Sequence, residues 1–444
     1  MQRDELERLS KAELIELVLR LQRPAKTSRT SSKPPATDRK ARRAHARPGG
    51  AKAGHEGHSR ALSPEVDRVV DHAPQQCPCC RVALSPDLPG EKVSVHERIE
   101  LPEVKPVIEH HRRLAVQCPS CGARVVAAPP PAATGTPFGP RLHALATYLK
   151  TFQSLSYERL QATLADLFGV PISQGGLMNL LRRAQGRFQA GREHAVATLR
   201  QAEAVASDET GVRIEGSTGY HWVFRCEEAV VHHAAPTRAA SVVHAVMDGH
   251  RPAVWLSDRY SAQQGHGLAQ QTCLAHLARD VAHVLEASDD PVPLRLKLWL
   301  TSAFALADNM AHLAASTIAA KRQVLERRLT SILAAPSGCE LTRALQAKLR
   351  RARDQLLTFA AWGGAVEATN NACERDLRPA VVQRKVTNGY RAMWAAQGEA
   401  DVRTVVDTAR LAPGTSVFRT ILQTVTARPL CPGTGVGNYG QTYR

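Results

Sequence analysis

One stretch, residues 203–258, restricts the fold more than any other. It reads "AEAVASDETGVRIEGSTGYHWVFRCEEAVVHHAAP", then "TRAASVVHAVMDGHRPAVWLSD". An apolar run leads up to Asp208, and Val212 and Ile214 continue it as a strand. "EGSTG" has the glycines of a tight hairpin turn, and "YHWVFRC" and "AVVHHAA" follow as two further strands. "TRAASVVHAVMDG" is an amphipathic helix closed by Gly249. "AVWLSD" is a short buried strand that ends on Asp258. Three hairpin-linked strands, a helix and a fourth strand leave few topologies. A right-handed crossover is expected, with the fourth strand beside the first.

This order opens a ribonuclease-H-like mixed sheet. It brings Asp208 and Asp258 together from fifty residues apart. Two close carboxylates repel, and each tends to raise the other's pKa. A divalent cation removes that conflict, and Mg²⁺ (or Mn²⁺) suits hard oxygen ligands plus phosphate. A third acid would complete two metal positions for in-line phosphoryl transfer. Residues 268–360 are read as helical, without strand patterning, as an insertion between fold elements. The third acid is therefore sought in "GGAVEATNNACERDLRPAVVQRKV". Glu374 is the candidate, with Glu367 and Asp376 as rivals. A structural alternative exists for Glu374: Asn371 as N-cap with Glu374 three residues on mimics a capping box, worth about 1 kcal/mol. Pro379 is expected to end that helix. Arg375, Arg378, Arg384 and Lys385 crowd the same stretch and are candidate phosphate contacts. Cys273 and His276, three apart in "TCLAHLARD", share a helix face as half a metal site or as packing.

The remaining sequence points the same way. Lys+Arg 58 against Asp+Glu 41 gives a net charge of +17, an excess that favours anionic partners, most often nucleic acid. Residues 23–60 alone hold eleven Lys/Arg and two acids, so nine charges of the excess fall in a basic, Pro- and Gly-rich arm. "DELERLSKAELIELVLRLQ" ahead of it has near-heptad leucines, suited to self-association or to packing on its own domain. Of ten cysteines, Cys77 and Cys80 form one C-x-x-C, and Cys118 and Cys121 another. Strand-like sequence between them, with Val93, Val95 and Ile99 in partial alternation, suggests two knuckles giving four thiolates to a structural Zn²⁺. Cys79 is an extra thiol in the first knuckle. Residues 140–200 read as helices near 140–153, 156–168 and from Ser173, the last two joined at Gly169 in a helix-turn-helix-like arrangement carrying Arg182 and Arg183. No apolar run reaches the roughly eighteen residues of a membrane span, and the N-terminus has no signal-peptide core. A cytoplasmic, nucleoid-associated protein is expected.

In order, "SDETGV", "WLSDRYSA", "CLAHLARD" and "NNACERDLRP…QRK" resemble the IS sixty-six family of DDE transposases. So do the leading helix, "GGAKAGHEGH" and the C-x-x-C unit. The resemblance implies a DDE triad at Asp208, Asp258 and Glu374 and matches Cys273 and His276 to the family's C-x-x-H. It also implies Mg²⁺-dependent cleavage and strand transfer of an insertion sequence, with element ends and target DNA as partners and accessory proteins possible. The expected fold is multidomain α/β. A leading helix (1–23), a basic linker (24–62), a small zinc ribbon (63–128) and a helical domain (135–200) precede a catalytic core split into 201–262 and 363–427. The helical insertion occupies 263–362, and 428–444 form a tail. A zinc-ribbon DNA-binding protein, or an inactive relic without catalysis, is the alternative function.

Overall fold

The computed structural model describes residues 60–130 and 135–427, together with positions 10, 11, 27 and 54–57. Nearly all of the leading helix and of the basic linker, and the whole tail, lie outside the described residues.

The N-terminal unit is built from two matching turns. In the second, a short hairpin pairs β1 (Ala115–Gln117) with β2 (Arg124–Val126), Ala115 opposite Val126. Cys118 N–H donates to Ala123 O and Gly122 N–H to Cys118 O, both at 2.8 Å, with Gly122 left-handed at φ +72°. The first turn repeats this. Cys77 N–H donates to Val82 O, and Arg81 N–H donates to Cys77 O. There Arg81 takes the left-handed conformation (φ +60°) that Gly122 takes in the second turn. The strands expected through 92–114 are absent: that segment has neither helix nor strand, and Val93, Val95 and Ile99 are exposed. Alternating valines make a strand only when a partner strand and a core receive them, and among the described residues neither meets this segment.

Four helices follow: α1 (Pro140–Thr151), α2 (Tyr157–Phe168), α3 (Gln174–Gln185) and α4 (Gln189–Leu199). Ser156 and Ser173 cap α2 and α3 by accepting from the amides of Arg159 and Gly176, and Gly169 ends α2 at φ 62°. Leu160, Leu164, Ile172, Leu177, Leu180 and Leu181 close this cluster.

The core is a five-stranded mixed sheet in the order β5-β4-β3-β6-β7. Its strands are β3 (Ala204–Ile214), β4 (Ser217–Arg225), β5 (Val230–Ala235), β6 (Val254–Ser257) and β7 (Ala269–Thr272). β3, β4 and β5 are antiparallel neighbours, whereas β6 runs parallel to β3 and β7 parallel to β6. Glu215 and Gly216, both at positive φ, make the first hairpin turn. β7 falls where only helix was expected. Its sequence, Ala-Gln-Gln-Thr, lacks an apolar strand signal, and side-chain hydrogen bonds make its burial tolerable. Gln271 accepts from Phe359 N–H at 2.8 Å, and Thr272 donates to Gln355 at 2.9 Å.

Helices cover both faces of the sheet. α4 and α5 (Ala240–Met247) pack on Val205, Trp222, Phe224 and Trp255. The other face receives α10 (Asn371–Thr387) through Cys373 and Leu377, and α11 (Met393–Ala409) through Ala396. Between β7 and α10 lie α6 (Leu274–Ala287), α7 (Pro291–Asn309), α8 (Ala315–Ala334) and α9 (Glu340–Arg351), which share one large core centred on Leu296, Trp299 and Leu325. The last helix, α12 (Val417–Thr426), packs with α11 against α1.

α10 does not stop at Pro379 but continues to Thr387. Proline removes the bond to the carbonyl four residues back. That residue, Arg375, is exposed, so water can satisfy its carbonyl. The chain then turns at Asn388 and Gly389 and zips onto the β3–β4 hairpin: Tyr390 N–H donates to Arg213 O at 2.8 Å. A Cβ on Gly389 (φ +95°) would sit 2.2 Å from that carbonyl oxygen, so only glycine fits. Among the described residues no helix is long and apolar enough to cross a membrane.

Candidate active site

Strand register sets the site. The last β3–β6 pair is Ala206 with Leu256, and two residues further on each strand carry Asp208 and Asp258. Side chains alternate along a strand. Val205 packs towards α5 and Ala206 towards α10, which puts Asp208 on the α10 face. Each aspartate is oriented by a backbone amide: Glu209 N–H donates to Asp208 Oδ1 and Tyr260 N–H to Asp258 Oδ1, both at 2.8 Å. Burial, reinforced by the charges of Glu209, Asp258 and Glu374, holds the Asp208 carboxyl well above the usual carboxylate range.

Glu374 sits in the first turn of α10, half-buried, and faces α6. His276 Nε2 lies 3.7 Å from one of its oxygens and an Arg279 nitrogen 3.5 Å from the other. Its two rivals are engaged elsewhere or exposed. Asp376 pairs with Arg225 at 2.8 Å, docking α10 on the end of β4, while Glu367 precedes the helix and is exposed. The expected cap is displaced by one residue. Asn370 occupies the N-cap without a side-chain cap bond, and Asn371 is the exposed first helical residue. The side chain of Asn370 is drawn instead to β3, where its Nδ2 donates to Ser207 O.

Cys273 is buried at the start of α6, and its Sγ accepts from Asn370 N–H. His276, on the same helix, is close enough for Glu374 and Asp258 both to act on its charge. Burial holds its imidazole below the usual range against them. Of the four basic residues in α10, Arg375, Arg378 and Lys385 are exposed. Arg384 is half-buried and donates to Thr210 Oγ1 at 2.8 Å and to Gly211 O, which ties α10 to β3.

Several polar residues near the acids carry no sequence signal that sets them apart. Glu209 follows Asp208 but projects to the opposite face, where Arg238 and Gln263 hold its carboxylate at 2.5 and 2.6 Å. Arg238 also stacks over Tyr260, 3.8 Å from its ring centre. Arg279 is placed by helical spacing: it lies three residues after His276 and so on the same face.

In each knuckle the cysteines lie together. Amides of Cys80 and Cys79, then the Cys80 thiol, pull the Cys77 thiol below its usual range, and Cys121 and Ser120 do the same for Cys118. Amide donors that stabilise thiolate suit a metal ligand. The structure does not bring the two pairs to each other: among the described residues no three His, Cys, Asp or Glu side chains gather in a metal-holding group.

A family model described as "Transposase IS66 family" matches residues 135–398, more than half of the chain, and one for the zinc-finger binding domain of IS66 transposases matches residues 74–122. The chain belongs to the IS66 transposase family. No curated protein matches it. The transposase match runs from α1 into α11, and so includes the sheet, the insertion and all three acids. The zinc-finger match takes in both C-x-x-C turns.

Proposed function

We propose that this transposase is a DDE enzyme whose centre is Asp208, Asp258 and Glu374. One observation carries the reading. Asp208, midway along β3, and Asp258, just past the end of the parallel neighbour β6, each lie two residues beyond the last β3–β6 pair, and among the described residues neither has a cationic side chain in salt-bridge contact. The neighbouring acids Glu209 and Glu374 both do. The sheet order, with three antiparallel strands, two parallel ones and helices on both faces, supports a ribonuclease-H-like core. That core is divided by the helical insertion α6–α9, which begins after β7 rather than at residue 263.

The donor set fits hard divalent cations such as Mg²⁺, for which paired carboxylates and phosphate oxygens are suitable ligands. Such ions would supply Lewis-acid activation of water or a 3′-hydroxyl and neutralise charge at phosphorus. The protein's own part is positional. β3 and β6 carry the aspartates just past their last shared pair, and α10 would supply Glu374 from its first turn. Arg238 and Arg279 flank the acids where DNA phosphates would lie, and the exposed Arg375, Arg378 and Lys385 extend the basic surface along α10. The Cys77–Cys80 and Cys118–Cys121 knuckles would share a structural Zn²⁺, and with α2–α3 and the basic arm would recognise the element ends.

The test is joining of end DNA to a target plasmid in Mg²⁺. Asp208→Ala and Glu374→Gln are expected to abolish joining while end binding persists, and Glu367→Gln to join as wild type does. Joining by Asp208→Ala would overturn the assignment, and loss in Glu367→Gln with retention in Glu374→Gln would move the third acid.

A further inference from the structure

The three proposed acids come from elements far apart in sequence, and one buried pair of residues ties all three together. Asn370 Nδ2 donates to the carbonyl of Ser207, the residue before Asp208, at 2.8 Å. Asn370 N–H donates to Cys273 Sγ at 3.1 Å. Cys273 N–H in turn donates to the carbonyl of Ser257, the residue before Asp258, at 2.9 Å. The carbonyl of Asn370 accepts from Glu374 N–H at 3.2 Å, as the first bond of the helix that presents Glu374. Beside this, Leu274 N–H bonds Ala368 O at 3.0 Å. Ser207, Ser257, Cys273 and Asn370 are all at most 1% exposed.

The position of this link matters. Ser207 lies just past the last β3–β6 pair, where the ladder stops holding the two strands together. Asn370 and Cys273 enter at that gap and replace the missing ladder bonds with a side chain and a thiol. A carbonyl acceptor requires a donor opposite, which fixes the Asn370 amide with Nδ2 towards Ser207. Its Oδ1 is then buried with no hydrogen-bond partner among the described residues. A buried acceptor left unpaired is unfavourable, and an apolar residue would avoid it. An apolar residue would, however, leave the buried Ser207 carbonyl without its donor, so asparagine here serves the link to β3 at the cost of its own Oδ1.

We propose that Asn370 and Cys273 are positioning residues that set the spacing of Asp208, Asp258 and Glu374, so that their loss weakens divalent-cation use rather than DNA binding. The proposal rests on the triad reading above. Supporting groups behind metal-binding carboxylates typically change metal affinity or activity by about 10- to 100-fold when removed.

The experiment measures strand joining against Mg²⁺ concentration for the full chain, with end-DNA affinity and thermal midpoint recorded in parallel. Asn370→Asp keeps the shape but removes the Nδ2–H donor. It is expected to raise the half-maximal Mg²⁺ by at least about tenfold at unchanged end affinity. Cys273→Ala should do likewise, and Cys273→Ser, which retains an acceptor for Asn370 N–H, should restore the wild-type Mg²⁺ response. If Asn370→Asp does not fold, the two Cys273 variants decide. Wild-type Mg²⁺ curves for Asn370→Asp and Cys273→Ala overturn the proposal. So do equal losses in Cys273→Ala and Cys273→Ser, or losses that follow end affinity and thermal midpoint together. Asp208→Ala is run alongside: if it still joins DNA the triad reading itself has failed, whereas an inactive Asp208→Ala beside normal clamp variants rejects the clamp alone.

Discussion

Arg403 offers the sharpest test of how α10 is held. It is completely buried on α11, and its guanidinium meets three partners: Glu399 at 3.0 Å, Gln383 at 2.6 Å and the carbonyl of Thr151 at 2.7 Å. Gln383 also donates to Glu399, so α10, α11 and the end of α1 meet at one ion pair. Arg403→Met removes the salt-bridge partner of a carboxylate that is 3% exposed. Breaking a buried pair from one side typically costs about 3–5 kcal/mol, a large part of a usual total of about 5–15 kcal/mol. An exposed pair would cost about 0–1 kcal/mol. Arg403→Met combined with Glu399→Met should recover most of the loss, because well-packed apolar replacements of a buried pair are often neutral. Urea titration of the full chain by circular dichroism, with all four members of the cycle, gives the coupling. A single-variant loss under about 1 kcal/mol, or additive losses in the double variant, would refute this account of the junction.

Two further outcomes follow from the site. Because Asp208 is held above the usual carboxylate range, the folded state binds its proton more tightly than the unfolded chain. The resulting stability is present at acid pH and is lost as pH rises through the folded value. Without divalent cations the thermal midpoint of wild type should therefore carry a falling arm above the ordinary aspartate range. Asp208→Asn should flatten that arm and also lose the rise in midpoint produced by Mg²⁺; an unchanged Mg²⁺ response in the variant would count against cation binding there. In the N-terminal unit, Cys118→Ser should lose bound zinc by metal analysis and become protease-sensitive within 60–130, with 135–427 remaining intact. Retained zinc would place the metal on other ligands.

The legible parts of this fold are those in which local chemistry and tertiary context agree. Ser156, Ser173 and Gly169 mark the ends of α2 and α3 in the sequence, and they cap those helices in the structure. The hairpin glycine and the alternation of β3 and β4 are similarly local signals. β7 was missed because its residues are polar and its partners, Gln355 and Phe359, come from more than eighty positions later. The opposite error occurs at Val93, Val95 and Ile99, whose alternation finds no partner strand among the described residues. Pro379 misleads for a third reason: the residue whose carbonyl it deprives of a partner, Arg375, is exposed, where a lost helix bond costs less than in the core. At the proposed site, strand order alone is enough to bring Asp208 and Asp258 onto neighbouring strands. The proposal of Glu374 over Glu367 and Asp376 draws on contacts the sequence does not carry: Arg225 takes Asp376, and α6 faces Glu374.

The charge arrangement around the acids separates scaffold from chemistry. Four carboxylates, Asp208, Glu209, Asp258 and Glu374, lie close enough for three of them to raise the pKa of the first. Left together without cations they would repel strongly at low effective dielectric. The protein compensates two of them. Arg238 and Gln263 hold Glu209, so the residue next to Asp208 in sequence is committed to bracing β3 against the 261–263 turn. Arg279 approaches Glu374 only to 3.5 Å, with both side chains near 30% exposed, a contact that phosphate or a metal ion could readily displace. Asp208 and Asp258 receive backbone amides but no salt bridge among the described residues. A site built for stability alone would have paired the aspartates as it paired Glu209. Leaving them to amides fixes their orientation without a competing salt bridge, which is what the proposed cation-dependent centre would require.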